Sequence, residues 1–354
     1  MLKFTNLSRG QKIRISILLA LTKLIYFVDI LGGIPALMFK SLTKGVVYSV
    51  VFISILSGIA INLNLPKYFD SSKIFGIYAS SRPLVLGVST SKSNEILPYL
   101  IKSEDFPEVS SKSVLAVEHN TGKILYEKNK DEKLPPASTT KLMTALVALD
   151  LYKTSEIITI PSFCTSLDTQ KAGYISGETD IVDNLLKTLL IYSSGDAACA
   201  LAVGKVSYDD FVGLMNSKAL SLGMVNTHFT NPVGLDGLNG DNYSSASDLS
   251  ILAKEVLKHI LLKENVGTRE ITLKSPATGN NRSIRQIRNT NDLLWNLPGT
   301  VGIKTGRTYA AGEVLIYEYR EDGKDIIIIV MGSLDRFTDT KKILEWILLS
   351  YSWL

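Results

Sequence analysis

The sequence predicts an α+β fold in which an antiparallel sheet is flanked by helices. Two pairs of strand patterns lie near opposite ends of the segment 113–354, and helical patterns separate them. Strands at both ends with helices between them favour a single sheet assembled from the two ends of the segment. An apolar stretch nearer the amino terminus adds a predicted transmembrane helix before this domain.

The strand pairs are predicted from β-prone runs that enclose turn residues. The first is SVLAVEHNTGKILYEKN at 113–129, with its turn at 119–122, and the second is GEVLIYEYREDGKDIIIIVMGS at 312–333, with Asp322-Gly323 at the turn. Apolar residues three and four positions apart predict helices between them at 139–151, 181–191, 197–205 and 247–259. The carboxyl-terminal residues 341–353 predict a last helix that packs on the sheet.

The transmembrane helix is predicted at 45–65, because 45–66 contains no charged residue and a bilayer core needs roughly 20 apolar residues. Basic residues precede it at Lys3, Arg9, Lys12, Arg14, Lys23, Lys40 and Lys44. Positive charge stays on the cytoplasmic side, so we expect a single-pass plasma-membrane protein whose bulk lies outside the cytoplasm. A cleaved signal peptide is the alternative, but the apolar run begins late and no small-residue cleavage site follows it.

The remaining segments follow from these boundaries. Residues 1–44 are predicted to be a cytoplasmic or interfacial segment, because Lys23 and Asp29 interrupt the apolar stretch 15–39 and charges are costly at mid-bilayer. Residues 66–112 are rich in serine without a sustained period, which predicts a stalk. Residues 113–354 form the predicted folded domain.

Composition excludes several classes of function. The chain has 354 residues and a net charge of only +4, from 38 basic and 34 acidic residues, which does not favour nucleic-acid binding. Cys164 and Cys199 lack metal-ligand spacing, so we expect two buried core cysteines, although a disulfide stays open. The three histidines are scattered and offer no confident Ser-His-Asp triad.

A serine–lysine pair is the first candidate for chemistry. In PPASTTK at 135–141, prolines precede a helical pattern, which places Ser138 in the first turn and Lys141 one turn later on the same face. A neutral lysine there could take the serine proton and activate its oxygen as a nucleophile. The spacing alone is weak evidence, because it also occurs at Ser41–Lys44 and Ser89–Lys92.

Two further motifs follow in the chain. Lys304-Thr305-Gly306 is preceded by β-prone residues, so it is predicted on an edge strand, where the cation and hydroxyl suit a carboxylate and the glycine permits close backbone approach. Ser193-Ser194-Gly195-Asp196 stands between two helical patterns. A serine there could relay a proton, or Ser194 or Asp196 could simply cap the next helix. Together, in this order, the three motifs resemble the signature of penicillin-binding proteins and class A β-lactamases.

The segment from Ser113 onward resembles the D-alanyl-D-alanine carboxypeptidases of the low-molecular-weight penicillin-binding proteins, serine peptidase family S11. The resemblance extends beyond the motifs to PPASTTKLMTAL, DNLLKTLLIYSSGDAACALA, THFTNPVGLD and GIKTGRTYAAG, and to Arg336 before KKILEW. It implies a β-lactamase/transpeptidase-like fold, peptidoglycan stem peptides as substrate, β-lactams as inhibitors, and no metal or organic cofactor.

The resemblance also implies a role for each matching residue. Ser138 would be the acylated nucleophile, Lys141 its general base and Ser193 the serine of the central motif. The substrate carboxylate would be held by Lys304, Thr305 and Arg336, beside Gly306, and the backbone amides of Ser138 and Arg307 would form the oxyanion hole. The implied reaction removes the terminal D-alanine through an acyl-enzyme.

One departure from the family pattern leaves alternatives open. The central motif is usually Ser-x-Asn, but the asparagine position here is Gly195, which has no amide side chain. A register in which Ser194 is the motif serine would break the match that follows. We therefore expect a carboxypeptidase, with an endopeptidase using the same site, or a catalytically weakened wall-binding scaffold, as alternatives. A β-lactamase is less favoured, because no obvious deacylating glutamate motif is present.

Overall fold

The computed structural model describes residues 97–102, 106–238, 241–275 and 283–353, which all lie in one folded unit, Ser91–Leu354. The predicted segment 1–44, the transmembrane helix 45–65 and the stalk up to residue 96 lie outside the described residues. Among the helices of the described part, none has both the length and the apolar character needed to cross a bilayer.

A five-stranded antiparallel sheet forms the centre of the folded unit. Its strands are β2 (Ser113–Glu118), β3 (Ile124–Lys128), β8 (Thr300–Thr308), β9 (Gly312–Glu321) and β10 (Lys324–Ser333). Their order in the sheet is β3-β2-β10-β9-β8, so β2 from the start of the domain pairs with β10 from its end. The predicted α+β architecture, with a sheet built from both ends of the segment, is confirmed.

Both predicted hairpins are present. Asp322 and Gly323 have φ values of 51° and 75°, the left-handed backbone that a two-residue turn of type I′ requires between twisted strands. In the first hairpin, the Glu118 carboxylate accepts hydrogen bonds from the backbone N–H and the hydroxyl of Thr121, both at 2.6 Å. These local contacts stabilise the two turns that the sequence predicts between the β-prone runs.

The helices and the short strands occupy the chain between the two hairpins and after them. The helices are α1 (Lys141–Leu151), α2 (Ser162–Thr165), α3 (Val182–Ile191), α4 (Gly195–Val203), α5 (Tyr208–Ser221), α6 (Ala246–Lys258), α7 (Ile260–Gly267), α8 (Leu293–Asn296) and α9 (Arg336–Ser350). Two small two-stranded sheets pair β4 (Ile157–Thr159) with β5 (Thr179–Ile181), and β6 (Glu270–Lys274) with β7 (Ile284–Arg288). The four predicted internal helices are confirmed to within two residues at each end.

The central sheet is buried on both faces. On β10, Ile327 and Ile329 belong to the large core shared with α1, α3, α4 and α6, whereas Ile326 and Ile328 face the opposite core, which includes residues of α9. Successive strand residues point to opposite faces, so a strand covered on both sides needs apolar residues at every position. This requirement accounts for the uninterrupted run IIIIVM in β10.

The folded unit begins earlier than the predicted boundary at residue 113. Pro98–Leu100 forms β1, which pairs with β11 (Tyr351–Trp353) after the end of α9. Ser110 and Ser111 donate hydrogen bonds to the buried carboxylate of Asp339 in α9. The described residues 98–102 and 106–112 of the predicted stalk therefore belong to the domain, because their backbone and serines find partners near the carboxyl terminus.

The two cysteines are buried, as predicted, but they are not free. Cys164 in α2 and Cys199 in α4 form a disulfide bond inside the large core. The bond fastens the segment after β4 to the helix that follows the central serine motif. A spacing of 35 residues gives no indication of such a pairing, which depends on how α2 packs against α4.

Candidate active site

Ser138 lies in a short 3₁₀ turn, Ala137–Thr140, that leads directly into α1. The Thr139 hydroxyl donates to the Pro136 carbonyl at 2.7 Å and closes the turn. Ala137 has a φ of 49°, a left-handed conformation that is uncommon for a residue with a side chain. The predicted first helical turn is thus a tighter 3₁₀ turn, and Ser138 remains partly exposed at its surface.

Lys141 is fully buried behind the serine. Its Nζ lies 2.8 Å from Ser138 Oγ and 2.7 Å from the Val233 carbonyl oxygen, to which it donates. The turn that carries this carbonyl is shaped by Asn231, whose Oδ1 accepts from the backbone N–H groups of Val233 and Gly234. The amine is thereby fixed in hydrogen-bonding distance of the hydroxyl.

The position of Lys141 also lowers its pKa from 10.5 to about 7. Burial is the largest cause, because it disfavours the charged ammonium, and the negative charge of Asp196 partly opposes the shift. With this pKa, roughly half of the molecules carry a neutral amine at pH 7. Lys141 can therefore accept a proton from Ser138 near neutral pH.

The Lys-Thr-Gly motif lies on β8, at the edge of the central sheet, as predicted. Among the described strands β8 pairs only with β9, so its other edge faces the serine turn. Lys304 is 1% exposed, and its Nζ donates to the Thr305 carbonyl at 3.1 Å. Burial, followed by the positive charges of Lys141 and Arg336, lowers the pKa of Lys304 well below its ordinary value.

Gly306 brings β8 against the serine turn. A Cβ atom on Gly306 would lie 2.9 Å from both the Ser138 nitrogen and the Ala137 Cβ, closer than real Cβ atoms approach. Arg336, at the start of α9, donates from Nη1 to the Gly306 carbonyl at 3.0 Å. The absence of a side chain at residue 306 thus permits β8 and the serine turn to lie this close together.

One cavity of about 750 Å³ opens onto these residues. Of the predicted site residues, Ser138, Ser193, Thr305, Gly306, Arg307 and Arg336 line it. Lys141 and Lys304 lie buried just behind the lining, with Lys141 in contact with Ser138 and Lys304 next to Thr305. The structure therefore brings all eight predicted residues to one place, although they come from four separate parts of the chain.

The two candidate serines of the central motif occupy different environments. Ser193 lines the cavity and has a φ of 66°, whereas Ser194 is fully buried and caps α4 by accepting from the Ala197 N–H at 3.2 Å. The Ser194 hydroxyl also donates to the Asp196 carboxylate. The geometry supports Ser193 as the motif serine, and the predicted capping role belongs to Ser194.

Three functional neighbours were not predicted from the sequence. These are the Val233 carbonyl that receives Lys141, the Asp196 charge that acts on Lys141, and the Thr290 hydroxyl, 2.5 Å from the Thr305 hydroxyl. The block TNPVGLD, noted for its resemblance to the family, contains Val233 and was the only signal for it. Every residue has a backbone carbonyl, so the sequence does not indicate which side chain will donate a hydrogen bond to it.

Comparisons with known proteins agree with this arrangement. The family Peptidase_S11: D-alanyl-D-alanine carboxypeptidase matches residues 101–335. The D-alanyl-D-alanine carboxypeptidase DacF of Bacillus subtilis is 36% identical over 229 residues, which cover 63% of this chain and 57% of that protein. The chain thus spans less than two thirds of the length of this relative.

Two further relatives extend the comparison. The D-alanyl-D-alanine endopeptidase of Escherichia coli is 33% identical over 254 residues, covering 68% of this chain and 78% of that protein. The crystal structure of the Streptomyces K15 DD-transpeptidase superposes with a TM-score of 0.65 and 32% identity, covering 70% of this chain and all of that one. By its sequence, its fold and the motifs around its cavity, the chain belongs to the S11 family of D-alanyl-D-alanine carboxypeptidases.

Proposed function

We propose that the protein is a serine-type hydrolase that removes the carboxyl-terminal D-alanine from peptidoglycan stem peptides through an acyl-enzyme. The observation that carries this proposal is the contact between Ser138 Oγ and the buried Lys141 amine at 2.8 Å, at the wall of a cavity bordered by β8. A pKa of about 7 makes this lysine a suitable base at neutral pH.

Acylation begins when Lys141 takes the proton from Ser138 and the serine oxygen attacks the carbonyl carbon of the D-Ala-D-Ala bond. The backbone amides of Ser138 and Arg307 stabilise the negative oxygen that forms. The carbon–nitrogen bond then breaks, and the leaving D-alanine amine receives the proton, relayed through Ser193. Water hydrolyses the serine ester and releases the shortened peptide.

The cationic side of the cavity selects a free carboxylate. Thr305 and Arg336 line it, and Lys304 lies directly behind Thr305. Burial, followed by the positive charges of Lys141 and Arg336, lowers the pKa of Lys304, and a bound carboxylate would oppose this shift by favouring the charged amine. The proposed role of this group is to hold the carboxyl terminus of the substrate while Ser138 attacks the preceding carbonyl.

Labelling with a fluorescent penicillin tests the nucleophile. The purified protein should form a covalent adduct that survives denaturation, and Ser138→Ala should abolish it. A long-lived adduct fits a penicillin-binding protein, whereas turnover in well under about a second would point to a β-lactamase. Labelling that persists in the Ser138→Ala variant would remove this serine from the proposed role.

An endopeptidase is the second candidate, because a relative named D-alanyl-D-alanine endopeptidase is 33% identical to this chain. Assays on a stem pentapeptide and on a cross-linked dimer of stem peptides separate the two activities. Faster release of D-alanine from the pentapeptide supports the carboxypeptidase. Binding of both peptides without release of any product would instead indicate a wall-binding scaffold, the alternative that Gly195 raised.

We further propose that residues 45–65 anchor the protein in the plasma membrane with the hydrolase outside the cytoplasm. The charge-free sequence and the basic residues before it support this placement. The disulfide between Cys164 and Cys199 also suits an oxidising compartment. Protease added to intact spheroplasts should degrade the hydrolase domain, and protection until the membrane is lysed would contradict the proposed orientation.

A further inference from the structure

Gly195 faces the side chain of Thr169. A Cβ atom placed on Gly195 would lie 2.2 Å from Thr169 Cγ2 and 2.8 Å from Thr169 Oγ1. The threonine therefore fills the volume into which any side chain at residue 195 would project. The departure from the family's Ser-x-Asn pattern and the presence of Thr169 are two parts of one local arrangement.

Thr169 also faces the reaction site. It is half-buried and lines the same cavity as Ser138 and Ser193, within the segment 167–170 that contributes to the lining. Its hydroxyl is a hydrogen-bond donor and acceptor located where a longer polar side chain from residue 195 would begin. A polar group is thus present in this part of the lining although the motif itself lacks one.

The loop that carries Thr169 is fastened to α4 at three points. Gly195 donates its backbone N–H to the Gln170 carbonyl at 2.8 Å. The buried Asp196 carboxylate accepts from the backbone N–H groups of Ala172 at 3.1 Å and Tyr174 at 3.2 Å. On the other side of Thr169, the disulfide joins Cys164 to Cys199. A side chain held by such a loop is pre-organised, which lowers the entropic cost of contacting a substrate.

We propose that Thr169 is a substrate-contacting residue whose hydroxyl takes over the hydrogen bond that Gly195 cannot make, so that the central motif of this protein is completed by the loop before it. The inference rests on the proposed function, because it assigns a further residue to the same cavity. The expected partner is an amide group of the peptide, or of a penicillin side chain, bound between the loop and β8.

Removal of the hydroxyl at constant volume tests the contact. Thr169→Val should lower the second-order rate of penicillin acylation about tenfold, which corresponds to about 1.4 kcal/mol, whereas Thr169→Ser should stay within about threefold of the wild type. Thr165→Val is the matched control, because the Thr165 hydroxyl donates to the Ser162 carbonyl within the same segment and Thr165 lies outside the cavity lining. Equal rates for Thr169→Val and the wild type would overturn the proposal.

A swap of side chains tests the shared volume. Gly195→Asn should acylate slowly, because its Cβ collides with Thr169 Cγ2, and the added change Thr169→Ala should restore much of the rate by removing that methyl and the hydroxyl. Thermal melting of each variant shows whether it folds. A Gly195→Asn variant that folds and acylates as fast as the wild type would contradict the proposal.

The proposed function and the role of Thr169 can each be refuted separately. If the wild-type protein forms no penicillin adduct, the proposed function fails and the Thr169 variants have no rate to compare. If the wild type is acylated and Ser138→Ala is not, the proposed function stands. Loss of rate in Thr165→Val equal to that in Thr169→Val would then show a general effect of the loop and would refute the specific role of the Thr169 hydroxyl.

Discussion

At the scale of single residues, the chemistry depends on a lysine that is uncharged in a useful fraction of molecules. Complete burial favours the uncharged form of Lys141, and hydrogen bonds to the Val233 carbonyl and the Ser138 hydroxyl hold its amine in place. The same burial would be costly for a lysine that remained charged without a carboxylate partner. The Asp196 charge limits the shift, so the pKa falls to about 7 and no further.

This pKa predicts the pH dependence of acylation. Only the neutral amine can accept the serine proton, so the rate should rise with pH through about 7 and level off above about 8. At pH 6 the rate should be roughly one tenth of the plateau, because that fraction of Lys141 is neutral one pH unit below its pKa. Stopped-flow measurement of penicillin acylation between pH 5.5 and 9 gives the profile. A rate that does not change between pH 6 and 8 would contradict this role of Lys141.

Gly306 is the second residue at which a single atom matters. In Gly306→Ala the added methyl would lie 2.9 Å from the Ser138 nitrogen, so β8 and the serine turn must move away from each other. We expect acylation to slow about 100-fold, as displacements of this size at a reaction site commonly do, with folding largely preserved. Gly213→Ala is a matched control, because a Cβ on Gly213 in α5 meets no atom within 4 Å. Similar acylation rates for Gly306→Ala and Gly213→Ala would show that the close approach is not needed.

At the scale of secondary-structure elements, the hairpin of β9 and β10 carries a buried ionisable cluster outside the cavity. Glu318 on β9 lies beside Asp325 on β10 and His119 after β2, and Arg320 donates to both carboxylates. Burial, followed by the negative charge of Asp325, raises the pKa of Glu318 to about 7. The carboxyl group of Glu318, between β9 and β10, therefore keeps its proton in the folded protein at mildly acidic pH.

The raised pKa of Glu318 predicts a loss of stability at higher pH. The unfolded chain releases this proton near its ordinary pKa of 4.5, whereas the folded protein keeps it up to about 7. The contribution of Glu318 to the free energy of unfolding is therefore fully present below pH 4.5 and is lost as the pH rises towards and through 7. The contribution of Glu318 to the free energy of unfolding should fall between pH 5 and 8, so Glu318→Gln should become more stable relative to the wild type as the pH rises through this range.

Urea unfolding at a series of pH values measures this effect. Glu321→Gln serves as the control, because Glu321 lies on the same strand but is exposed. It should follow the wild-type curve. If the difference in the free energy of unfolding between Glu318→Gln and the wild type stayed constant between pH 5 and 8, Glu318 would not be the titrating group.

The elements that were predictable from the sequence are those with local causes. The two hairpins follow from their turn residues, and the internal helices follow from the spacing of apolar residues in α1, α3, α4 and α6. The three motifs, together with the family resemblance that added Arg307 and Arg336, identified the eight candidate residues that the structure places at one cavity or directly behind its lining. Local patterns could not reveal contacts between distant parts of the chain, such as that of Lys141 with Val233, 92 residues away.

The features that were not predicted also depend on contacts between distant parts of the chain. The strand β1 was not predicted, because three residues of Pro98–Leu100 have no pattern of their own and are ordered by pairing with β11. The disulfide likewise depends on the packing of α2 against α4. Thr169 gave no signal at all, since its importance arises only from the missing side chain of Gly195 on a neighbouring element.

At the scale of the whole molecule, both ends of the folded unit are fastened together. β1 pairs with β11, and β2 pairs with β10, so residues near each end of the domain share one sheet or a small ribbon beside it. The helix α9, between β10 and β11, covers one face of the central sheet and carries Arg336 at its first residue. Correct placement of α9 therefore serves both the core and the carboxylate side of the cavity.

Asp339 in α9 is the residue on which this closure most depends. Its buried carboxylate accepts hydrogen bonds from the hydroxyls of Ser110, Ser111 and Ser333 and from two backbone N–H groups. Burial alone would raise the pKa of Asp339, but these serine hydroxyls outweigh that effect and leave the pKa lowered. The carboxylate thus joins the segment before β2 to the end of β10 and to α9.

We expect Asp339→Ala to lower the free energy of unfolding by about 3 kcal/mol, because it leaves buried hydroxyls and N–H groups without their charged acceptor. Glu345→Ala, at an exposed position of the same helix, should change it by less than about 0.5 kcal/mol. Denaturant unfolding measures both. Because α9 begins at Arg336, the Asp339→Ala variant should also acylate more slowly even where it remains folded. A variant with wild-type stability and rate would mean that the serines before β2 find other partners, and that the ends of the domain are joined by the strand pairs alone.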